Sequence, residues 1–573
     1  MHVARLLPVA GLLICSAAAA RPGALRDLNQ RAVQGGFGTS TANLARVVGK
    51  VRHLPGGVAG LRSAYEGALA APEARPQLQR YLALRGGDRT ALARLVPSGA
   101  LTETKQGPAA RYLIAGEYRS SRTVDTVVDP VDGKPLLGIY ATPKADVLEA
   151  ITKAHAALPR TAALPRTQRA AILRRVAEQL QARRAEIAQV IALEAGKPLS
   201  DALTEVDRAV STFTLAAKEA TRLRARTEAA PGGMKLRVER VPIGVVTAIT
   251  PFNFPLNLVA HKVAPAIAAG NPVIIKPSGR TPLTALLLAE LINNTAWPKE
   301  ALSVVTPRIS NIAPLVRDPR VAMVSFTGSE AVGWKLKQQA SGKRVALELG
   351  GNAAAIVHKD ADLSDAVKKA VRGAFAYSGQ VCIHTQRIYV EESLYARFVD
   401  EFVKQARQLR TGDPLLPTTQ MGPMIDGAAA KRAQGWLAEA TAGGARILAG
   451  GKTRGNFLEP TVVVDAKPGD KIVSEEVFAP IVVISPYKTL QGALAEVNAS
   501  RFGLQAGIFT RDQKAVQQAF RTLQVGGLVV NNVPTVRVDG QPYGGVKRSG
   551  FGREGPRYAI EEMTDLKSLV VTP

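Results

Sequence analysis

Short apolar runs alternate with helix-patterned stretches from residue 244 to residue 349, and that regularity leaves few folds open. The runs 244–250 (GVVTAIT), 272–276, 302–306, 322–326 and 344–349 are short and apolar on successive residues. Between them, helix patterns occupy the stretch after Pro251 up to Ala269, residues 281–292 and a segment from about Glu330; Gly270 supplies a stop signal. Strands apolar on both faces need cover on both faces, which predicts a parallel sheet with helices on each side. Such sheets bind ligands at the carboxyl ends of their strands. Asn253, Lys276, Gly328 and Glu348 all lie at or just past predicted strand ends.

The rest of the chain continues the α/β pattern. Residues 112–118 (YLIAGEY) read as a strand or entry turn, and residues 143–223 carry helical periodicity. A strand is predicted at 236–239, after Pro231-Gly232-Gly233. A second alternating region spans 352–532, with strands at 387–390, 473–477 and 528–530. The tail, 543–573, is glycine-rich and then strand-like. A length of 573 residues suits two or three domains of roughly 100–200 residues each.

The chain carries a formal net charge of +27. Residues 1–110 hold 14 Lys/Arg against 5 Asp/Glu. There is no run of five like charges, no zinc-finger spacing and no aromatic RNA-binding signature, so nucleic acid is not an expected partner and the basic surface reads as solvated. Residues 6–20 (LLPVAGLLICSAAAA) resemble a signal segment and are short for a membrane span, so no span is expected in the mature chain. Residues 21–110 form a basic extension, and its Arg-rich, acid-poor start is the mark of a transit peptide. The expected location is organellar, with the mitochondrial matrix first, a complex plastid second and secretion third. Cys15 and Cys382 are the two cysteines. Loss of the leader leaves one thiol and no intramolecular disulfide.

Four segments carry candidate chemistry, and each also has a plain structural reading. Cys382, after Ser378-Gly379-Gln380-Val381, is a nucleophile or an inert core thiol. Glu348, in Leu-Glu-Leu-Gly-Gly, is a buried general base, a solvated strand end or half of a salt bridge. Asn253, in Thr-Pro-Phe-Asn-Phe-Pro, is an oxyanion donor or a helix cap. Residues 326–333 (FTGSEAVG) suit a diphosphate at a helix N-terminus or form an ordinary capping turn. No metal site is expected.

Together the order Thr-Pro-Phe-Asn-Phe-Pro, Ile-Ile-Lys-Pro-Ser, Phe-Thr-Gly-Ser, Leu-Glu-Leu-Gly-Gly, Gly-Gln-x-Cys, Glu-Glu-Val-Phe-x-Pro and Tyr-Gly-Gly-Val-Lys-x-Ser-Gly-x-Gly-Arg-Glu-Gly resembles the aldehyde dehydrogenase superfamily over residues 112–573. The resemblance implies a Rossmann-like cofactor domain (111–223 and 243–350), an α/β catalytic domain (351–556) and a small β oligomerisation arm (224–242 and 557–573). It implies Cys382 as nucleophile, Glu348 as the base for thioester hydrolysis, and Asn253 with the Cys382 N–H as oxyanion hole. For NAD or NADP it implies Lys276 and Gly279 at the adenosine ribose, Gly328, Ser329 and Gly333 at the diphosphate, and Glu476 and Phe478 at the nicotinamide end. A homodimer or homotetramer is usual for such proteins. Residues 332–337 and 555–564 look most similar to the branch of lactaldehyde, phosphonoacetaldehyde, sulfolactaldehyde and non-phosphorylating glyceraldehyde-3-phosphate dehydrogenases, so a small anionic aldehyde is the expected substrate.

Departures from the family pattern refine these expectations. Gly279 stands where NAD-preferring members often carry Glu, and Arg280 follows it, so NADP should be accepted. Ala479 replaces the usual Gly after Phe478. His384 is read as lining the substrate mouth or lying at the surface. Arg537 is read as facing an anionic substrate tail or pairing with Asp539. The alternatives for the whole chain are a CoA-acylating semialdehyde dehydrogenase, which usually lacks a Glu at position 348, and a non-catalytic assembly subunit.

Overall fold

A computed structural model describes residues 47, 50, 51, 53–56, 61, 75–85 and 89–573. The signal-like segment 1–20 and most of the basic stretch up to residue 74 lie outside the described residues.

The apolar runs form an eight-stranded sheet. Its order is Gly550–Phe551, Arg344–Glu348, Val321–Thr327, Val245–Ile249, Val273–Lys276, Leu302–Val304, Tyr112–Ile114 and Glu117–Arg119. The five strands from Arg344–Glu348 to Leu302–Val304 are mutually parallel, and antiparallel strands flank them. Every residue of Val245–Ile249 is buried, as cover on two faces demands. The helix Asn257–Ala269 is buried at all 13 positions, because it packs between this sheet, the helix Leu199–Arg222 and the tail helix Pro556–Glu562. The strand Gly550–Phe551 therefore builds the cofactor sheet although it falls within 351–556.

A seven-stranded sheet forms the second layer: Arg446–Ala449, Thr461–Val464, Ile481–Tyr487, Arg387–Glu391, Ala354–Val357, Gln505–Phe509 and Gly527–Val530, parallel except for the first. The expected strand at 473–477 is not there; residues Lys471–Ser474 make a helical turn. Side-chain amides take over its backbone groups. Asn352 Nδ2 donates to the carbonyls of Val473 and Glu475, and Gln386 Nε2 donates to those of Ile472 and Glu475.

The strands Thr564–Val571, Lys235–Pro242 and Arg226–Ala229 form an antiparallel arm with Leu566, Leu569, Val570 and Val571 exposed. The arm's last segment begins at Thr564, not at residue 557. Residues Pro556–Glu562 are a helix whose Ile560 is buried in the main core.

The extension 21–110 is corrected over its described part. Val47, Val51, Leu54, Leu61, Tyr81, Leu95 and Val96 belong to the main core. The hairpin Leu101–Thr104 with Gly107–Ala110 joins a four-stranded sheet through Pro135–Tyr140. Arg85, in the helix Arg75–Arg85, is buried between Asp129 and Asp413; its Nη2 stands 2.6 Å from Asp413 Oδ1. A segment with buried ion pairs and core residues is a piece of the fold over its described residues.

Candidate active site

Cys382 follows the helix Leu363–Phe375 and the turn Ala376–Gly379. Tyr377, Ser378 and Gly379 take left-handed φ values of 47°, 56° and 67°. Two non-glycine residues in that region store roughly 1–3 kcal/mol each, which surrounding bonds must offset. They do: Tyr377 Oη donates to Ala195 O at 2.6 Å, Ser378 Oγ to Gly422 O at 2.7 Å, and Gln380 Oε1 accepts the Ile425 N–H at 2.8 Å. A side chain at Gly379 would stand 2.2 Å from Ala479 O. The turn so fixed leaves the Cys382 thiol half-buried, with Sγ 3.3 Å from Tyr543 Oη. Burial pushes this thiol up to about 11.

Cys382 is part of the wall of a cavity of about 540 Å³ between the helices Leu199–Arg222 and Leu363–Phe375. Lys197, Arg208, Lys368, Lys369, Arg372 and Arg537 contribute cations to its lining, against Asp201, Glu205 and Asp365. Asn253, buried, donates from Nδ2 to the carbonyl of Gln380 at 2.9 Å, which ties it to the cysteine turn and leaves a second amide N–H. Glu348 ends its strand buried, and its Oε2 has no hydrogen-bond partner. Burial, then the charge of Glu554, hold its carboxyl well above the usual range, so it is the protonated member of that pair. Glu554 is the ionised member. Burial pushes it up, but Lys262 and Arg537 outweigh that and hold it near 2.

Sequence reading missed this second tier. Lys262 Nζ bonds Glu554 Oε1 at 2.8 Å and Ser325 Oγ at 3.2 Å, and Arg537 Nη2 bonds Glu554 Oε2 at 3.1 Å. Arg208 Nη2 stands 2.8 Å from Asp539 Oδ1, with His261 Nε2 at 3.4 Å from the same oxygen. A lysine and a histidine inside an otherwise apolar helix were the available signal, because a buried charge needs a partner.

The reading of Arg537 is corrected in part. It pairs with Glu554, while Asp539 is held by Arg208, yet Arg537 does line the cavity. His384 is neither at the mouth nor at the surface. It is buried with Nε2 2.8 Å from Ala374 O, and burial lowers it to about 4, so it is neutral packing behind the cysteine turn.

The cofactor residues occupy a separate group of strand ends. Lys276 ends its strand, and burial alone lowers its ammonium to about 8, as expected of a cation with no carboxylate beside it among the described residues. A Cβ at Gly279 would meet nothing within 4 Å, so that position is open. Ser329 precedes the helix Glu330–Gln339 without a side-chain cap, and its first-turn N–H groups can face an anion. Gly328 donates its N–H to Glu348 O at 3.0 Å, and a Cβ at Gly333 would strike Leu349 at 2.3 Å. Glu476 accepts the Gly351 N–H at 2.9 Å and is raised to about 7, chiefly by burial. Phe478, at φ 48°, packs edge-on to Phe252 at 6.0 Å. An unsatisfied cation, an open ribose edge and an uncapped helix start fit a dinucleotide. Among the described residues no cluster of metal-ligating side chains occurs and no helix is long and apolar enough to cross a membrane.

Residues 118–569 match the model of the aldehyde dehydrogenase family. The chain is 41% identical over 479 residues to the 3-sulfolactaldehyde dehydrogenase of Priestia megaterium, covering 82% of this chain and 99% of that protein. It is 39% identical to aldehyde dehydrogenase 21 of Physcomitrella patens, solved with the reaction product succinate (TM-score 0.79, covering 81% of this chain and 98% of that one). It is 36% identical to the glyceraldehyde-3-phosphate dehydrogenase GapN of Methanocaldococcus jannaschii, solved with NADP (TM-score 0.77, 79% and 100%).

Proposed function

This chain belongs to the aldehyde dehydrogenase family and is an NAD(P)-dependent aldehyde oxidoreductase; from there we propose that it oxidises a small anionic aldehyde to its carboxylic acid through a thioester on Cys382, with NADP preferred. The observation that carries the substrate class is the pair Arg537 and Arg208 in the wall of the cavity that holds Cys382. With Glu348 protonated, Lys262 and Arg537 face Glu554 alone, so one buried positive charge is in excess beside the cavity. An anionic substrate tail would match it. The 3-sulfolactaldehyde of one relative and the succinate bound to another are small anions of this kind.

The proposed chemistry follows from the geometry. The Cys382 sulfur attacks the aldehyde carbon. The second amide N–H of Asn253 and the Cys382 backbone N–H hold the developing oxyanion, a contribution of about 3 kcal/mol per donor. The nicotinamide cofactor, when bound, accepts the hydride. Glu348, once it has lost its own proton to solvent, then takes a proton from water to hydrolyse the thioester, while Lys262 keeps Glu554 paired at 2.8 Å. A buried Glu at position 348 supports hydrolysis over transfer to CoA, and the intact Cys382, Glu348 and Asn253 speak for a catalyst over an assembly subunit. The exposed apolar residues of the arm support a homo-oligomer, and the basic, acid-poor leader supports an organellar, matrix location.

Two outcomes test this reading. Anionic aldehydes such as 3-sulfolactaldehyde and succinic semialdehyde are expected to exceed propanal in kcat/KM by at least about tenfold, with Arg208→Gln erasing the difference. Equal values would reject the anionic substrate while leaving the family activity. Arg280 pairs with Asp426 at 2.7 Å on the surface, a contact worth roughly 0–1 kcal/mol, so a 2′-phosphate can draw it away cheaply. Arg280→Ala is expected to lower kcat/KM with NADP about tenfold, the scale of one charge-assisted hydrogen bond, and to leave NAD unchanged. A parallel fall with both cofactors would mean that Arg280 does not read the phosphate.

A further inference from the structure

We propose that Tyr543 is a catalytic residue: its phenol donates a hydrogen bond to the Cys382 thiolate, and the Arg537 guanidinium lying on its ring strengthens that donation. The inference rests on Cys382 being the nucleophile. Tyr543 is buried, and its Oη has Sγ as hydrogen-bond partner at 3.3 Å. A buried phenol needs such a partner, and here the partner is the reacting atom itself.

The arrangement is fixed from two sides. Tyr543 and Glu554 form an isolated antiparallel bridge, with Tyr543 N to Glu554 O at 3.0 Å and Glu554 N to Tyr543 O at 2.6 Å. This short piece of tail aims the phenol at Cys382 and the carboxylate at Lys262 and Arg537. Arg537, anchored by Glu554, lies 3.7 Å from the centroid of the Tyr543 ring. A cation on the ring face draws electron density from the phenol and favours O–H donation.

The need for a donor follows from the charges that surround the sulfur. Burial raises the thiol most and the charge of Glu476 raises it further; Tyr543 by its hydrogen bond and Arg537 by its charge lower it. Glu348 is held protonated and is therefore no ready base for the resting thiol. Burial also holds the Tyr543 phenol well above its ordinary value, so it keeps its proton and stays a donor. On ionisation the sulfur proton passes to bulk water, and the phenol proton remains on Oη, shared with the thiolate.

The test is the pH profile of Cys382 alkylation by iodoacetamide in the full chain, read by mass spectrometry of the Cys382 peptide so that Cys15 does not interfere. Tyr543→Phe keeps the ring and removes the donor. It is expected to slow alkylation at pH 8 on the order of tenfold and to move the ascending limb to higher pH. 3-Fluorotyrosine at position 543, a stronger donor of nearly the same shape, is expected to move the limb to lower pH. Unchanged melting and NADP binding establish that the Phe variant is folded; if it does not fold, the fluorinated protein decides alone. A Phe profile that superimposes on that of the parent protein, or a limb that fluorination leaves in place, overturns the proposal. No aldehyde enters this measurement, so failure of the substrate reading and failure of this one are separable.

Discussion

Cys382→Ala is expected to lower aldehyde oxidation by on the order of 10⁴-fold or more with NADP binding retained, whereas Glu348→Gln is expected to complete one hydride transfer per site and then stall with the acyl group on sulfur. The two residues lie on different elements and serve different halves of the proposed reaction. Cys382 lines the cavity, so alanine removes the sulfur proposed to hold the acyl group. Glu348 is buried with Oε2 free of hydrogen bonds, as suits a base that waits for water. Loss of a general base costs roughly 10²–10⁴ in the step it serves. A rapid-mixing experiment with Glu348→Gln should therefore show a burst of reduced cofactor equal to the active sites, followed by a rate lower by about that factor. The pH dependence has a defined sign. A carboxyl works as a base only when ionised, and burial with Glu554 raises this one. The parent protein's deacylation limb should rise at a pH well above the ordinary carboxylate range, and the Gln variant should lose that limb. A Gln variant with no burst would make Glu348 the base for the thiol as well.

What sequence could and could not show follows from the range of the forces involved. The five parallel strands were readable because two-sided burial writes itself into consecutive residues, as at Val245–Ile249. The stretch 473–477 defeated the same logic because Asn352 and Gln386, more than 80 residues away, take up its carbonyls. Cys382, Glu348 and Asn253 were legible as candidates because each sits in a motif whose neighbours are glycine, proline or apolar. Tyr543, Lys262 and Glu554 lie in equally legible segments, yet their roles depend on a pairing. Tyr543 meets Cys382 across 161 residues, and Lys262 meets Glu554 across 292. His384 was misread because a histidine near a nucleophile suggests contact with substrate, while its ring in fact seals the space behind Gly379.

The largest effect on stability is expected at Arg85, whose replacement by alanine should cost about 3–5 kcal/mol, the scale for breaking a buried ion pair from one side. Its side chain is 1% exposed, and the two carboxylates that it joins lie 44 and 328 residues further along the chain. Burial opposes its charge, but Asp129 and Asp413 more than compensate and keep it firmly protonated. Alanine would leave both carboxylates away from water, with Lys50 beside Asp129 and Tyr81 beside Asp413 as remaining partners. Thermal unfolding of Arg85→Ala should begin several degrees below that of the parent. Arg85→Met combined with Asp129→Asn and Asp413→Asn should recover much of the loss, because removing the charges together avoids stranding any of them. A single variant that melts with the parent would show that the extension is not tied to the body through this contact. The same bond bounds any processing of the leader. Cleavage beyond Arg85 would strand two buried acids, and cleavage at residue 110 would also remove the hairpin that pairs with Pro135–Tyr140. The amino terminus of the mature protein, read by terminal sequencing from its native cells, is therefore expected upstream of Val47. A terminus beyond Arg85 would require the acids at 129 and 413 to find another counter-charge, and the arginine would then be an ornament of the precursor.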